Sequence, residues 1–109
     1  MKYGNHKTIV DGITFDSKAE ANRYLELKAL ELKGIIKGLE RQKTYKLVKG
    51  RWPSTGKPFS ASYKADFVYT LDGEIVVEDV KGYKTEAYVL KKKLMMALYG
   101  IEIREVKAK

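Results

Sequence analysis

Three residues carry groups that could act together on a substrate: Asp66, Asp79 and Lys81. Two of them sit in "VVEDVKG", residues 76–82, which has the valines of a buried strand yet carries two carboxylates and an amine. "ASYKADFVY" and "EIVVEDV" read as strands joined by Asp72-Gly73, a strong two-residue hairpin signal. With that pair as the loop, Leu71 faces Glu74, and counting back along the hairpin brings Asp66 directly opposite Asp79. Side chains alternate along a strand, so Lys81 shares the face of Asp79. Glu78 points the other way, with Val76 and Val80.

Opposed carboxylates with Cβ atoms about 5 Å apart repel by roughly 3 kcal/mol at an effective dielectric near 20. Lys81 offsets part of this, and a divalent cation offsets it better. Mg²⁺ favours one or two carboxylates plus water and phosphate oxygens, with Mn²⁺ as the alternative. Such an ion polarises a phosphate and lowers the pKa of a bound water. A lysine beside it orients the water or neutralises charge growing on the phosphate. The chemistry implied is phosphodiester hydrolysis. The plainer alternative is an exposed Asp-Lys ion pair of little energetic weight, with Asp66 merely ending its strand.

The elements that must hold these residues follow from local signals. "TIVDGITFDS" forms a hairpin about Asp11-Gly12, so residues 1–16 make an N-terminal hairpin or arm. Ser17 with Glu20 three residues later is a capping-box pattern, and Asp16 adds charge of the right sign. The helix it starts has Ala21, Tyr24, Leu25, Lys28 and Leu32 on one face and stops at Gly34. A strand follows near 44–48, then a basic loop over 49–61 rich in Gly, Pro and Ser, expected to be mobile. Thr85 caps a second helix, "EAYVLKKKLMMALY", which ends at Gly100 with Met95 and Met96 as core filler. "IEIREV" alternates and makes the last strand. The order is helix, three antiparallel strands, helix, strand: an α/β or α+β fold in which helices cover a mixed sheet.

Composition narrows the partner. The 109 residues suffice for one domain with a single core. No cysteine is present, which removes disulfides and thiolate metal sites, and His6 stands alone, which argues against zinc. No apolar run approaches the ~20 residues that span a bilayer, and the start lacks a signal-peptide core, so no membrane is expected and the cytoplasm is the expected location. The net charge is +8. Between 41 and 64 lie Arg41, Lys43, Lys46, Lys49, Arg51, Lys57 and Lys64 without one acid, interleaved with Tyr45, Trp52, Phe59 and Tyr63. Basic residues with aromatics among them suit a phosphate backbone and stacked bases. Lys91, Lys92 and Lys93 on the second helix extend this basic surface, with Tyr88 and Lys91 as further candidates to face the phosphates. Gln42 is placed to hold a metal-bound water, and Glu78 to support the site from behind. Glu20 serves either the cap or the metal.

These residues carry a resemblance. "AD" at 65–66 followed by "EDVK" at 78–81 is similar to the bipartite motif of the PD-(D/E)xK nuclease superfamily. "FDSKAEANRYLEL", "IIKGLERQKTYKL", "YKADFVY" and "VVEDVKGYKTEAYVLKKKLM" together resemble a phage-associated family of small endonucleases related to Holliday-junction resolvases. The resemblance implies a restriction-endonuclease-like core, a DNA substrate, Mg²⁺ and a homodimer in the cytoplasm of a bacterial host. It implies that Asp66, Asp79 and Glu20 bind metal and that Lys81 is catalytic. Ala65 stands where the motif's name has proline, a position that varies widely in the superfamily. Some members keep the fold without activity, so a silent nucleic-acid-binding accessory protein is the second reading. A nuclease preferring flapped or single-stranded DNA is the third.

Overall fold

Two Asp-Gly pairs make the first local decisions. The computed structural model describes residues 7–107, which leaves His6 outside the described residues. Asp11 and Gly12 take φ of 52° and 75°, and Asp72 and Gly73 take 52° and 81°. Two successive left-handed residues are what a type I′ hairpin turn demands. The first turn joins β1 (Thr8–Val10) to β2 (Ile13–Phe15). The second joins β4 (Pro58–Leu71) to β5 (Glu74–Lys81), in register from Leu71↔Glu74 to Phe67↔Glu78.

Helix α1 (Lys18–Leu32) begins as expected, with the Ser17 hydroxyl accepting the Glu20 N–H at 3.1 Å. Its buried face is Glu20, Ala21, Tyr24 and Leu27. Leu25 and Leu32, expected on that face, are 48% and 87% exposed. The helix is rotated because Arg23 and Glu20 both turn toward the sheet. The Arg23 guanidinium donates to Glu78 from Nε at 2.8 Å and from Nη2 at 2.7 Å. Lys28, expected to lie along the core face, pairs with Glu31 at 3.0 Å instead.

The largest departure from expectation is β3 (Ile36–Arg51), which pairs with β4 along nearly its whole length. The segment 49–61 is mostly strand: Lys49↔Ser60, Gly50↔Phe59 and Arg51↔Pro58 are in register, and the turn is confined to 52–57. Gly50, which suggested a loop, instead makes room for a ring across the strand. A Cβ there would lie 2.6 Å from Phe59 Cζ. Pro58 is tolerated because it is the first residue of its strand.

Helix α2 (Glu86–Tyr99) runs from the expected Thr85 cap to Gly100, left-handed at φ 69°. Strand β6 (Arg104–Lys107) then lies parallel to β5, giving the order β3-β4-β5-β6. The fold is α+β, a mixed four-stranded sheet with two helices. On β5, Val77 packs with Tyr88 and Met95 of α2, while Val76 and Val80 pack on the side of Tyr24 and Leu27 of α1. The helices therefore cover opposite faces. Met96, expected as core filler beside Met95, is exposed. Among the described residues no helix is long and apolar enough to cross a membrane.

Glu78 is fully buried on the α1 side, where the Tyr69 hydroxyl also donates to it. Arg23→Met would strand this carboxylate and is expected to cost about 3–5 kcal/mol in a denaturant titration, with Arg23→Met/Glu78→Met recovering most of the loss. A single-variant loss below about 1 kcal/mol would show that the pair does not anchor the helix.

Candidate active site

The β4–β5 ladder ends at Phe67↔Glu78, and the next residues along the same register are Asp66 and Asp79. The two acids thus face each other, as the hairpin count requires. Asp66 Oδ2 accepts the Val80 N–H at 2.7 Å, so a side chain takes over where backbone pairing stops. At this point the strands also roll over. Tyr63 and Ala65 pack on the α2 side while Phe67 and Tyr69 pack on the α1 side, although strict alternation would keep all four on one face. On β3, Leu39 and Tyr45 part in the same way. Between them is Gln42, flanked by the pairs Arg41↔Phe67 and Lys43↔Ala65, which puts it alongside Asp66. Gln42 has φ 54°, a left-handed conformation unusual for its residue type.

Asp79 is held on both oxygens. Oδ2 accepts the Tyr63 hydroxyl at 2.6 Å, and Lys81 Nζ is 3.1 Å from Oδ1. Lys81 also lies over the Tyr88 ring, 4.0 Å from its centroid, in a cation–π contact. The Tyr88 hydroxyl donates to Glu105 at 2.8 Å. Glu105 faces Asp79 across the parallel β5–β6 pair and also binds Lys84 at 2.8 Å and Lys92 at 3.0 Å. Those donors hold its carboxyl down at about 2, the Lys84 hydrogen bond contributing most. Burial pushes Tyr63 and Tyr88 well above the usual phenol range, helped by the Asp79 and Glu105 carboxylates respectively.

Asp66 carries the electrostatic cost of the pair. Burial, then the Asp79 charge, raises its pKa to about 7, the Val80 N–H only partly opposing them. Glu20 is raised too, mainly by burial, with Arg41 opposing and Asp79 adding repulsion. Its carboxylate accepts from Gln42 Nε2 at 3.1 Å and lies 3.7 Å from Arg41 Nη2. Cap and site are therefore not alternatives for Glu20. Its backbone N–H serves the cap, and its carboxylate turns toward the acids.

Asp66, Asp79 and Lys81 come together, with Glu20, Gln42 and Tyr88 around them. Glu78 sits on the opposite face in the Arg23 pair, supporting β5 from behind. Among the basic candidates, Arg41 is turned inward, its guanidinium 4.5 Å over the Phe15 ring and its buried Nε without a partner. Lys92 is tied to Glu105, and Arg51 Nη1 donates to Gly56 O in the turn. Lys46, Lys49 and Lys64 are exposed, and the pairs Thr44↔Lys64, Lys46↔Ser62 and Lys49↔Ser60 put them on the ribbon face opposite Tyr45↔Tyr63. Lys57 is exposed at the turn, and Lys43, exposed on the Tyr45 face, lies 5.7 Å from the Tyr45 ring centroid and 3.7 Å from Glu40; on α2, Lys93 is exposed and Lys91 half-buried. Two aromatics leave the expected stacking set: Tyr63 is buried on Asp79, and Tyr45 packs edge-on against Tyr99.

Tyr63, Glu105 and Arg23 join the surroundings of the site without any role expected of them there from the sequence. Arg23 lies one helical turn after Glu20, a spacing that could have revealed it. Tyr63 was hidden by the strand roll, and Glu105 by a parallel pairing that no local signal announces.

Two opposed carboxylates, Asp79 buried and Asp66 half-buried, fit Mg²⁺ in its usual protein setting, one or two carboxylates with the remaining positions left to water and phosphate. Among the described residues no group of three or more His, Cys, Asp or Glu side chains is assembled to hold a metal ion.

A family model described as "Protein of unknown function (DUF1064)" matches residues 1–109, the whole chain. The chain belongs to this family. No curated protein matches it. In this DUF1064 member the acids occupy the point where β4 leaves β5, so their charge is coupled to folding. An Asp66 pKa raised on folding contributes stability that is full below the unfolded value of 3.8 and is lost as pH rises through about 7. Asp66→Asn is expected to leave stability near wild type at about pH 4 and to exceed it by about 2–4 kcal/mol at about pH 8, measured by denaturant melts. A variant less stable than wild type at the higher pH would contradict the assigned repulsion.

Proposed function

We propose that this chain is a Mg²⁺-dependent DNA endonuclease that hydrolyses phosphodiester bonds, selective for branched DNA such as four-way junctions. The observation that carries the reading is the opposed Asp66–Asp79 pair with Lys81 beside it, at the root of a ribbon whose exposed face is basic. The resemblance of "AD" and "EDVK" to the PD-(D/E)xK motif supports it.

Asp66 and Asp79 hold the metal, with Mn²⁺ as a substitute, and Glu20 lends negative charge from α1. When bound there, the ion supplies Lewis-acid polarisation of the scissile phosphate and a more acidic water. Tyr63 fixes the Asp79 carboxylate. Lys81, braced by the Tyr88 ring, neutralises charge that grows on the phosphate and orients the attacking water. Gln42 steadies Glu20. Lys46, Lys49 and Lys64 hold the duplex backbone, which makes binding fall steeply with salt. Cutting both strands of a junction needs two sites, so the active species is a homodimer, working in the cytoplasm.

A second reading has an observation in its favour. Tyr63 and Lys81 engage Asp79, and Gln42 and Arg41 engage Glu20, so these acids are satisfied without an ion. A silent DNA-binding accessory protein needs only the basic ribbon.

The deciding assay is cleavage of a synthetic four-way junction, with flapped and linear duplexes alongside. Wild type is expected to cut with Mg²⁺ and not with EDTA, and Asp79→Ala to be slower by at least about a hundredfold. Salt-sensitive binding without cleavage, unchanged by Mg²⁺ or Asp66→Ala, would establish the silent reading instead. Sedimentation with junction bound is expected to give a dimer, and a monomer at every concentration would remove paired cutting.

A further inference from the structure

The ribbon ends in a feature that the fold does not require. Trp52, the only tryptophan in the chain, is 54% exposed and packs on Phe59, itself 37% exposed, with ring centroids 4.7 Å apart. Neither ring belongs to either core cluster. Yet the tip around them is built. The Trp52 N–H donates to Lys57 O at 2.9 Å, the Gly56 N–H to Trp52 O at 2.7 Å, and Arg51 Nη1 to Gly56 O at 2.9 Å. Below, Phe59 rests on Gly50, where any Cβ would collide with it. A concavity of about 550 Å³ opens beside Phe59, lined by Lys49, Gly50, Arg51, Pro58, Phe59 and Ser60.

Exposed aromatics on a mobile loop would lose most of their binding energy to ordering, whereas a hydrogen-bonded turn has already met that cost. The surroundings select an anion, because residues 41–64 hold no acid, Lys49 lines the same concavity as Phe59, and Lys57 is exposed in the turn that Trp52 closes. Aromatic faces set among phosphate-binding cations are the chemistry of base stacking.

We propose that the Trp52–Phe59 tip is a stacking platform for an unpaired nucleobase, through which the protein distinguishes branched or flapped DNA from continuous duplex. This rests on the reading that DNA is the partner, and it assigns the recognition of structure to the ribbon tip rather than to the carboxylates. Seven residue steps of extended chain lead from Phe59 to Asp66, roughly 23 Å. The platform and the acids therefore contact different parts of one substrate.

Because Trp52 is the sole tryptophan, its emission reports the tip directly. Full-length protein in EDTA is titrated with a blunt duplex, the same duplex carrying a single-base bulge, and a flapped duplex. Quenching is expected with the bulge and flap and little with the blunt duplex. Trp52→Ala is expected to lose about tenfold in affinity for bulged and flapped DNA and less than about twofold for duplex, while Trp52→Phe keeps wild-type binding. Equal affinity of Trp52→Ala and wild type for all three probes would overturn the proposal, as would an equal loss on all three. A shift in emission that follows protein concentration without DNA would assign the rings to self-association and overturn it as well. Cleavage in Mg²⁺ separates the two readings. A wild type that cuts, with Trp52→Ala unchanged in both cutting and binding, removes the platform and leaves the nuclease. Quenching and a selective Trp52→Ala loss without any cleavage remove the nuclease and leave the platform.

Discussion

Two carboxylates held face to face, one buried and the other half-buried, are the constraint around which this structure is arranged. Asp66 and Asp79 repel, and the hairpin register gives them no means of separating. Their neighbours each offset part of that repulsion: the Val80 N–H on Asp66, the Tyr63 hydroxyl and Lys81 on Asp79. Burial of Asp66, together with what remains of the repulsion, raises its pKa. A fold seeking stability alone would replace one acid with a neutral residue. Both acids are what the proposed cation site would require.

The two faces of the sheet divide the labour. On the α1 side, the Arg23–Glu78 pair fixes the rotation of the helix and so brings Glu20 toward Gln42 and the acids. On the α2 side, Tyr88 braces Lys81 from beneath while its hydroxyl reaches Glu105. The roll of β3 and β4 at Gln42 and Asp66 lets one ribbon serve both faces. It packs on α1 near its root and on α2 farther out, leaving Lys46, Lys49 and Lys64 on a face that neither core cluster covers. The strained Gln42 backbone sits at this crossing, and its amide holds Glu20.

What the sequence made legible was local chemistry with a unique geometric consequence. Asp72-Gly73 defines a two-residue turn, and that turn fixes the register of every residue along the hairpin, Asp66 and Asp79 included. Ser17, Thr85 and Gly100 mark helix ends for equally local reasons. Illegible features depended on partners distant in sequence. Gly50 suggested a loop because its role, receiving the Phe59 ring, exists only once the strands are paired. Tyr63 looked like a stacking aromatic because it lies among basic residues, and the roll that turns it onto Asp79 is one the sequence does not announce. Arg41 looked like a phosphate contact, but Phe15 and Glu20 draw it inward. Glu105 joins the site through a parallel crossover, whose pairing no short-range signal specifies.

The central claim is that the acid pair exists to receive a divalent cation, and proton linkage tests it most directly. A carboxyl with a pKa near 7 must lose its proton before it can bind a metal. Calorimetric titration of the full-length protein with Mg²⁺, repeated in buffers of different ionisation enthalpy, counts the protons released. Release of close to one proton is expected at about pH 6, falling toward none above about pH 8, with both binding and release abolished by Asp66→Asn. Mg²⁺ binding that releases no proton at either pH, or that survives Asp66→Asn unchanged, would contradict it.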